Sequence, residues 1–243
     1  MTTPDKLRID EALVMRGLYT SRARARDAVL RGTVNVNGIT ARKPAQMVAE
    51  VDVLTSADGG QNYVSRAALK LIHALDHFKF EVAGRRCLDL GASTGGFTQV
   101  LLERGASQVI AIEVGHGQMV LQDDRINLLE GMNARDLTHE EVPGDVSAIT
   151  CDVSFIPLHI ALDASLDLVT EGSWLVALLK PQFEVGRSGI SRGGIVRDEV
   201  LIAKACADVA DYVHKKGWQA KGIISSPIDG GDGNEEFLLA AIK

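Results

Sequence analysis

Two lysines and two carboxylates, Lys70, Asp152, Lys180 and Glu236, are the residues of this chain best placed to do chemistry. Asp152 ends the strand pattern 146–152, and Lys180 follows the almost wholly apolar run 174–179. Both therefore fall at the carboxyl ends of buried strands, where open α/β sheets bind their ligands. Strands consecutive in sequence are often neighbours in space, so these two side chains are expected to meet. Lys70 lies in a helix pattern. Glu236, with Glu235 as the alternative, opens the last strand after Gly230-Gly231-Asp232-Gly233-Asn234. A lysine beside a carboxylate suits deprotonation of a weakly acidic hydroxyl, provided burial and a second cation favour its neutral form. The plainer roles are a solvated strand cap for Lys180 and a surface ion pair for Lys70 and Glu236.

The elements that must position these residues read as alternating strands and helices. A helix over 65–78 begins at Ser65. Strands follow at 86–90, 109–114, 126–130, 146–152, 174–179, 218–225 and 237–242, with helices at 96–104, 158–168 and 198–215. This predicts a Rossmann-like, doubly wound, mainly parallel sheet. The first strand runs into Gly91-Ala92-Ser93-Thr94-Gly95-Gly96-Phe97, a glycine-rich turn whose backbone is expected to approach a cofactor closely. Glu113, followed by Val114, ends the next strand about twenty residues on, where a carboxylate commonly grips ribose hydroxyls. Asn133-Ala134-Arg135 forms the same rim and is expected near an adenine. The turn is not GxGxxG and lacks the lysine of a P-loop, which disfavours NAD and ATP. S-adenosylmethionine, cationic and free of phosphate, fits better.

Of the 243 residues, 46% are hydrophobic and 24% charged, an ordinary globular balance with no apolar run of membrane-spanning length. The polar N-terminus lacks a signal-peptide core, so a cytoplasmic protein with no membrane partner is expected. Cys87, Cys151 and Cys206 have no metal-ligand spacing and read as buried thiols, and no metal site is expected. The net charge is −6, but residues 1–60 carry +2 and the remainder −8. The positive charge gathers in Arg16, Arg22, Arg24, Arg26 and Arg31. A basic segment on an acidic body suits docking to a polyanion. Here the patterns give a helix over 9–14, a second over 22–30 capped by Ser21, a strand at 34–36, a hairpin at Asn37-Gly38 and a strand at 51–54. Residues 55–62 read as a linker.

Ser21-Arg22, Ala25, Gly32, Val34, Val36 and Asn37-Gly38 together resemble the S-four RNA-binding domain. Further on the likeness extends to nearly the whole chain. Val64-Ser65-Arg66 with Lys70-Leu71, the Gly91–Phe97 turn, Asp152-Val153-Ser154-Phe155-Ile156, Lys180-Pro181-Gln182-Phe183-Glu184 and Gly233-Asn234-Glu235-Glu236-Phe237 resemble the TlyA (hemolysin A) family of ribosomal RNA 2′-O-methyltransferases, whose catalytic domain is FtsJ-like. The resemblance implies an S-four-type domain over 1–58, a linker over 59–64 and a transferase domain over 65–243. It implies S-adenosylmethionine bound at Gly91, Ala92, Ser93, Gly95, Gly96, Phe97, Glu113, Val114, Asn133, Ala134 and Arg135. It selects Glu236, directly before an aromatic, for the Lys70, Asp152, Lys180, Glu236 tetrad, with Lys180 activating the 2′-hydroxyl. The implied partner is ribosomal RNA or a ribosomal subunit, with cytidine as target in small-subunit and in some members large-subunit RNA. Arg22, Arg24, Arg26, Arg31, Arg66, Arg187 and Arg192 are the arginines expected to contact it. The family's linker tryptophan is replaced, with Tyr63 the candidate stand-in. Competing expectations are a non-catalytic ribosome-assembly factor, a membrane-active cytolysin and a small-molecule methyltransferase.

Overall fold

The computed structural model describes residues 6–19, 21–56, 63–186, 189–191 and 193–243. The chain divides into two compact units, Met1–Asn62 and Tyr63–Lys243.

In the first unit β1 (Leu7–Arg8) leads into α1 (Ile9–Met15), and α2 (Arg22–Leu30) starts where the Ser21 hydroxyl accepts from the Arg24 N–H. Ile9, Leu13, Ala25 and Val29 are the buried positions through which the two helices share a core. A three-stranded sheet of β2 (Val34–Val36), β3 (Ile39–Thr40) and β5 (Leu54–Ser56) follows, while β4 (Met47–Val48) pairs with β1. Asn37 and Gly38 take φ values of 51° and 81°, the left-handed pair a type I′ hairpin demands. The last strand lies later than the 51–54 pattern predicts. The Asp52 carboxylate accepts from the Ala49 N–H and from Asn37 at 2.7 and 2.9 Å, which folds residues 49–52 into a turn. Thr55 and Ser56, read as linker, pair instead with Asn35 and Val34.

The second unit contains α3 (Ala67–Phe78), β6 (Arg86–Leu90), α4 (Gly96–Glu103), β7 (Gln108–Glu113), β8 (Ile126–Glu130), β9 (Val146–Cys151), α5 (Leu158–Ala161), β10 (Val169–Leu179), α6 (Pro181–Glu184), α7 (Glu199–Lys215), β11 (Gln219–Ser225) and β12 (Phe237–Ile242). The sheet order is β11-β12-β10-β9-β6-β7-β8, and only β12 runs against its neighbours. This is the doubly wound α/β fold that the alternation predicts. Helices α3 and α4 cover one face through Leu71, Leu75 and Leu101, and α5 and α7 cover the other through Leu158, Val209 and Val213. The chain winds outward from β6 through β7 to β8, then returns to the other side of β6 as β9. The switch point between β6 and β9 is therefore central.

Two predicted helices differ from the pattern. Ser65 sits one residue before the cap of α3, though its hydroxyl still accepts from the Ala67 N–H at 3.2 Å. The 158–168 helix stops after one turn and resumes as a 3₁₀ turn, Ser165–Asp167, where the buried Ser165 hydroxyl donates to the Leu162 carbonyl at 3.0 Å. A serine that bonds its own backbone competes with helix continuation.

Asp89, in β6, is fully buried and accepts from the Thr98 hydroxyl of α4 at 2.6 Å and the Thr150 hydroxyl of β9 at 2.8 Å. Burial pushes its carboxyl up to about 6, against the pull of those two hydrogen bonds. An unfolded aspartate titrates near ~3.9. Between the two values the folded state keeps a proton that the unfolded chain has released, so this group favours folding most below ~pH 4 and that contribution is lost as pH rises through about 6. Asp89→Asn should abolish the slope. The unfolding free energy of the variant minus wild type is expected to grow by about 2 kcal/mol between pH 4 and 7 in urea titrations.

Candidate active site

The switch point is built by close approach of backbone. Gly91 leaves β6 with φ 79°, and a Cβ there would lie 2.6 Å from the Asp152 carbonyl oxygen. The Asp152 N–H donates to the Leu90 carbonyl at 2.9 Å, and the Gly91 and Ala92 N–H groups both donate to Ile112. Gly95 (φ 100°) caps α4 where a Cβ would meet Met119 and Leu121, and a Cβ on Gly96 would meet Ser65. The turn's glycines thus make room for protein neighbours, and Gly91 and Gly96 also border cavities. Ser93, at φ 48°, is the non-glycine left-handed residue at the centre of the turn.

Beside this turn lies a cavity of about 490 Å³ bordered by Gly91, Ser93, Glu113, Val114, Asn133 and Ala134. Glu113 ends β7 with both oxygens engaged: one accepts from the Ser93 N–H at 2.9 Å, the other from the Gly115 N–H at 2.8 Å and from Gln118 at 3.3 Å. The carboxylate is fixed across the mouth of the turn. Asn133 caps a 3₁₀ turn by accepting from the Arg135 N–H, whereas the Arg135 side chain is exposed, pairs with Asp136 at 3.6 Å and does not border the cavity. Met132, Gln118 and Ile156 also form its walls. No periodic or charge signal in the sequence marks them.

A second cavity of about 180 Å³ is bordered by Ala92, Gly96, Phe97, Ser65 and Lys180, and it shares Gly91, Ser93, Asp152 and Ser154 with the first. Lys180 and Asp152 pair at 2.6 Å, with side chains 10% and 17% exposed. The Lys180 ammonium also donates to the Ser154 hydroxyl at 2.9 Å. Lys70, on α3, forms a buried ion pair with Glu236. In the antiparallel pairing of β10 with β12, Leu179 stands opposite Phe237, so the next residues outward, Lys180 and Glu236, face each other at the sheet edge. Glu235 is exposed, with its carboxylate 3.5 Å from the Ser225 hydroxyl. Asn234, only 1% exposed, accepts from the Val196 N–H at 2.9 Å and donates to the Gly194 carbonyl at 3.0 Å, tying that segment to the start of β12. Phe155 is 89% exposed at φ 68° and lies 5.2 Å from the Phe183 ring. Cys87 and Cys151 are buried, and burial pushes both thiols up to about 12, so neither is a nucleophile at neutral pH.

The arginines differ in availability. Arg22 is held by Glu11 at 2.9 Å and Asp10 at 3.5 Å, and Arg31 by Asp27 at 3.4 Å. Arg16 donates to the Ala49 and Glu50 carbonyls. Arg26 is exposed, Arg24 half-buried, and Arg66 caps α3. Arg187 and Arg192 lie outside the described residues. Tyr63 packs on the core under α3 and α4, its phenol pushed up by burial and by Glu103 beside it.

Residues 63–243 match the FtsJ-like methyltransferase family and residues 7–54 the S4 domain. The 16S/23S rRNA (cytidine-2′-O)-methyltransferase TlyA of Mycobacterium tuberculosis is 44% identical over 238 residues, 96% of this chain and 89% of that protein. Hemolysin A of Brachyspira hyodysenteriae is 37% identical over 236 residues, 96% of this chain and 98% of that protein. The solved structure of a hemolysin candidate from Streptococcus thermophilus aligns with a TM-score of 0.75 at 38% identity, covering 99% of this chain and 90% of that one. Among the described residues no helix is long and apolar enough to cross a membrane.

The close approach at Gly91 is open to a direct comparison. Gly91 and Gly117 both have positive φ, 79° and 65°, but a Cβ on Gly117 meets nothing within 4 Å. Gly117→Ala carries backbone strain alone, of about 1 kcal/mol, and should lower Tm by roughly 2–4 °C. Gly91→Ala adds a backbone clash and should lower Tm by at least about twice as much; equal losses in thermal melts would remove the clash from the account.

Proposed function

The chain belongs to the TlyA family, an S4 domain followed by an FtsJ-like methyltransferase domain, and on that footing we propose that it methylates the 2′-hydroxyl of a ribose in ribosomal RNA. The observation that carries the proposal is the Lys180–Asp152 pair at the rim of the smaller cavity, beside a second, buried lysine–carboxylate pair. We take residues 1–58 as the RNA-docking domain, 59–64 as the linker and 65–243 as the transferase.

The residues present fit S-adenosylmethionine. The larger cavity is of nucleoside size, with apolar walls from Ile112, Met132 and Ile156 and carboxylates from Glu113 and Asp152. Such a lining suits a cationic, phosphate-free nucleoside. Glu113 would hold its ribose, Asn133 and Ala134 would edge its base, and Asp152 would lie on the side of its positive charge. Bound there, the cofactor supplies a methyl group activated by a sulfonium.

The chain's own residues then have to prepare the acceptor. A ribose 2′-hydroxyl keeps its proton at neutral pH and is a poor nucleophile. Lys180, facing the cavity and having first released one proton to water, receives the hydroxyl proton as the oxygen is methylated. Asp152 fixes the lysine from the strand below. Glu236, opposite Lys180 in register, keeps the second lysine at the same edge. Positioning the hydroxyl against the methyl group supplies much of the rate.

By analogy with the relatives' names, the target is a cytidine of 16S or 23S rRNA, and the work is cytoplasmic. The exposed Arg26 of the S4 unit is the side chain best placed to meet phosphates, because Arg22 and Arg31 are already held in ion pairs.

Labelled methyl transfer to purified, unmethylated ribosomal subunits tests the reading. Wild type should place label in alkali-resistant dinucleotides, and Lys180→Ala should transfer roughly 10²–10⁴-fold more slowly while still binding the cofactor. Cofactor binding without transfer in wild type, or label confined to alkali-labile mononucleotides, would refute it. Arg26→Glu should raise KM for RNA and flatten the salt dependence of binding by about one charge, with cofactor affinity unaltered in calorimetry.

A further inference from the structure

Ser154 stands where the two cavities meet and touches the lysine on which the proposed chemistry turns. A neutral lysine nitrogen, the form that can take a proton, has two N–H bonds and one lone pair. At Lys180 one N–H is taken up by Asp152, 2.6 Å away, and one by the Ser154 hydroxyl, 2.9 Å away, and the side chain borders the smaller cavity. Both partners sit on the three-residue segment just after β9, so they hold the nitrogen from one side and leave the third direction for a ligand.

The two partners do different work. Attraction to a carboxylate is nearly radial and leaves a lysine on four rotatable bonds free to swing about it. A hydroxyl on a one-carbon stem adds a second fixed point and thereby sets the direction of the lone pair. That hydroxyl can be a fixed point because its backbone is held. Phe155, the next residue, is in the left-handed region at φ 68°, a conformation costly for a residue with a Cβ and kept only where surroundings enforce it. Two contacts enforce it here. The Phe155 ring packs against Phe183 at 5.2 Å, and the Leu158 N–H donates to the Glu184 carboxylate at 2.8 Å. Phe183 and Glu184 belong to α6, the turn that directly follows Lys180. The segment bearing Ser154 and the segment bearing Lys180 are thus clamped together on either side of the hydrogen bond.

We propose that Ser154 is a positioning residue of the reaction: by accepting one N–H of Lys180 it aims that nitrogen at the acceptor hydroxyl in the smaller cavity. The proposal rests on the methyl-transfer reading given above. It adds to that reading a residue type that neither strand ends nor charge would single out.

The test uses the full chain with Ser154→Ala and Ser154→Thr, the second retaining a hydroxyl. Measured are single-turnover methyl transfer to ribosomal subunits, KM for the subunits, calorimetric Kd for S-adenosylmethionine, and Tm. Ser154→Ala should lose about 10–100-fold in kcat, the scale of one hydrogen bond to a charged group, with KM, Kd and Tm close to wild type. Ser154→Thr should recover most of the rate. A wild-type kcat in Ser154→Ala, a loss matched by equal weakening of cofactor binding, or a threonine variant as slow as alanine would each overturn the assignment. Absence of transfer by wild type would instead refute the underlying reading. A readout independent of turnover separates the two: acetylation of Lys180 by acetic anhydride, followed by peptide mass spectrometry, should run faster in Ser154→Ala than in wild type. Equal rates would show that the hydroxyl does not restrain the lysine.

Discussion

A buried ammonium is tolerable only with an anion held against it, and much of this structure's arrangement follows from burying two. Lys70 and Lys180 are both less than a tenth exposed, and each has a carboxylate partner brought from a different element. Asp152 arrives from the neighbouring parallel strand. Glu236 cannot arrive that way, because it stands just before its strand begins. An antiparallel strand enters the sheet at the edge where parallel strands leave it, so reversing β12 brings the residue just before it level with Lys180. The single reversed strand of an otherwise parallel sheet thus satisfies the charge requirement of the site.

Close approach at the switch point works in the same direction. The pairing of β6 with β9 sets Leu90 beside Cys151, so Gly91 lies beside Asp152, and only the absence of a Cβ lets the two backbones come so near. Lengthening that contact would move Asp152 away from Lys180. Asp89, one residue pair back, binds threonines on both neighbouring elements and keeps the strand ends level.

Most of the sheet was legible because its strands are apolar runs ended by a charge or a glycine. Strands 86–90, 126–130 and 237–242 lie where the pattern puts them. What stayed hidden depends on partners far away in sequence. Residue pattern alone left Glu235 and Glu236 open, because the choice is made by the register with β10. The helix at 158–168 was over-read because a buried serine was free to bond its own backbone. Arg22 reads as a basic surface residue until Asp10 and Glu11 of the preceding helix are seen to hold it. Asp89 and Ser154 were passed over for a related reason. One is hidden inside an apolar strand and the other is a small polar residue in a loop, and neither type nor spacing marks them apart from their contacts.

The same charges decide from which side an RNA can approach. Two carboxylates, Glu113 and Asp152, border the larger cavity. A phosphate brought there would meet like charge at short range, whereas a cationic nucleoside would relieve it. The two lysines lie on the other flank, at the smaller cavity and on α3. On the proposed reading, an RNA strand would keep its phosphates off the Glu113 side, and the hydroxyl presented to Lys180 would reach the shared wall of Gly91, Ser93, Asp152 and Ser154 with those phosphates directed outward. The body of the chain is net acidic, so that local preference needs help in capturing a polyanion. On the proposed reading the basic first unit supplies it, with docking charge and chemistry divided between two units of one chain.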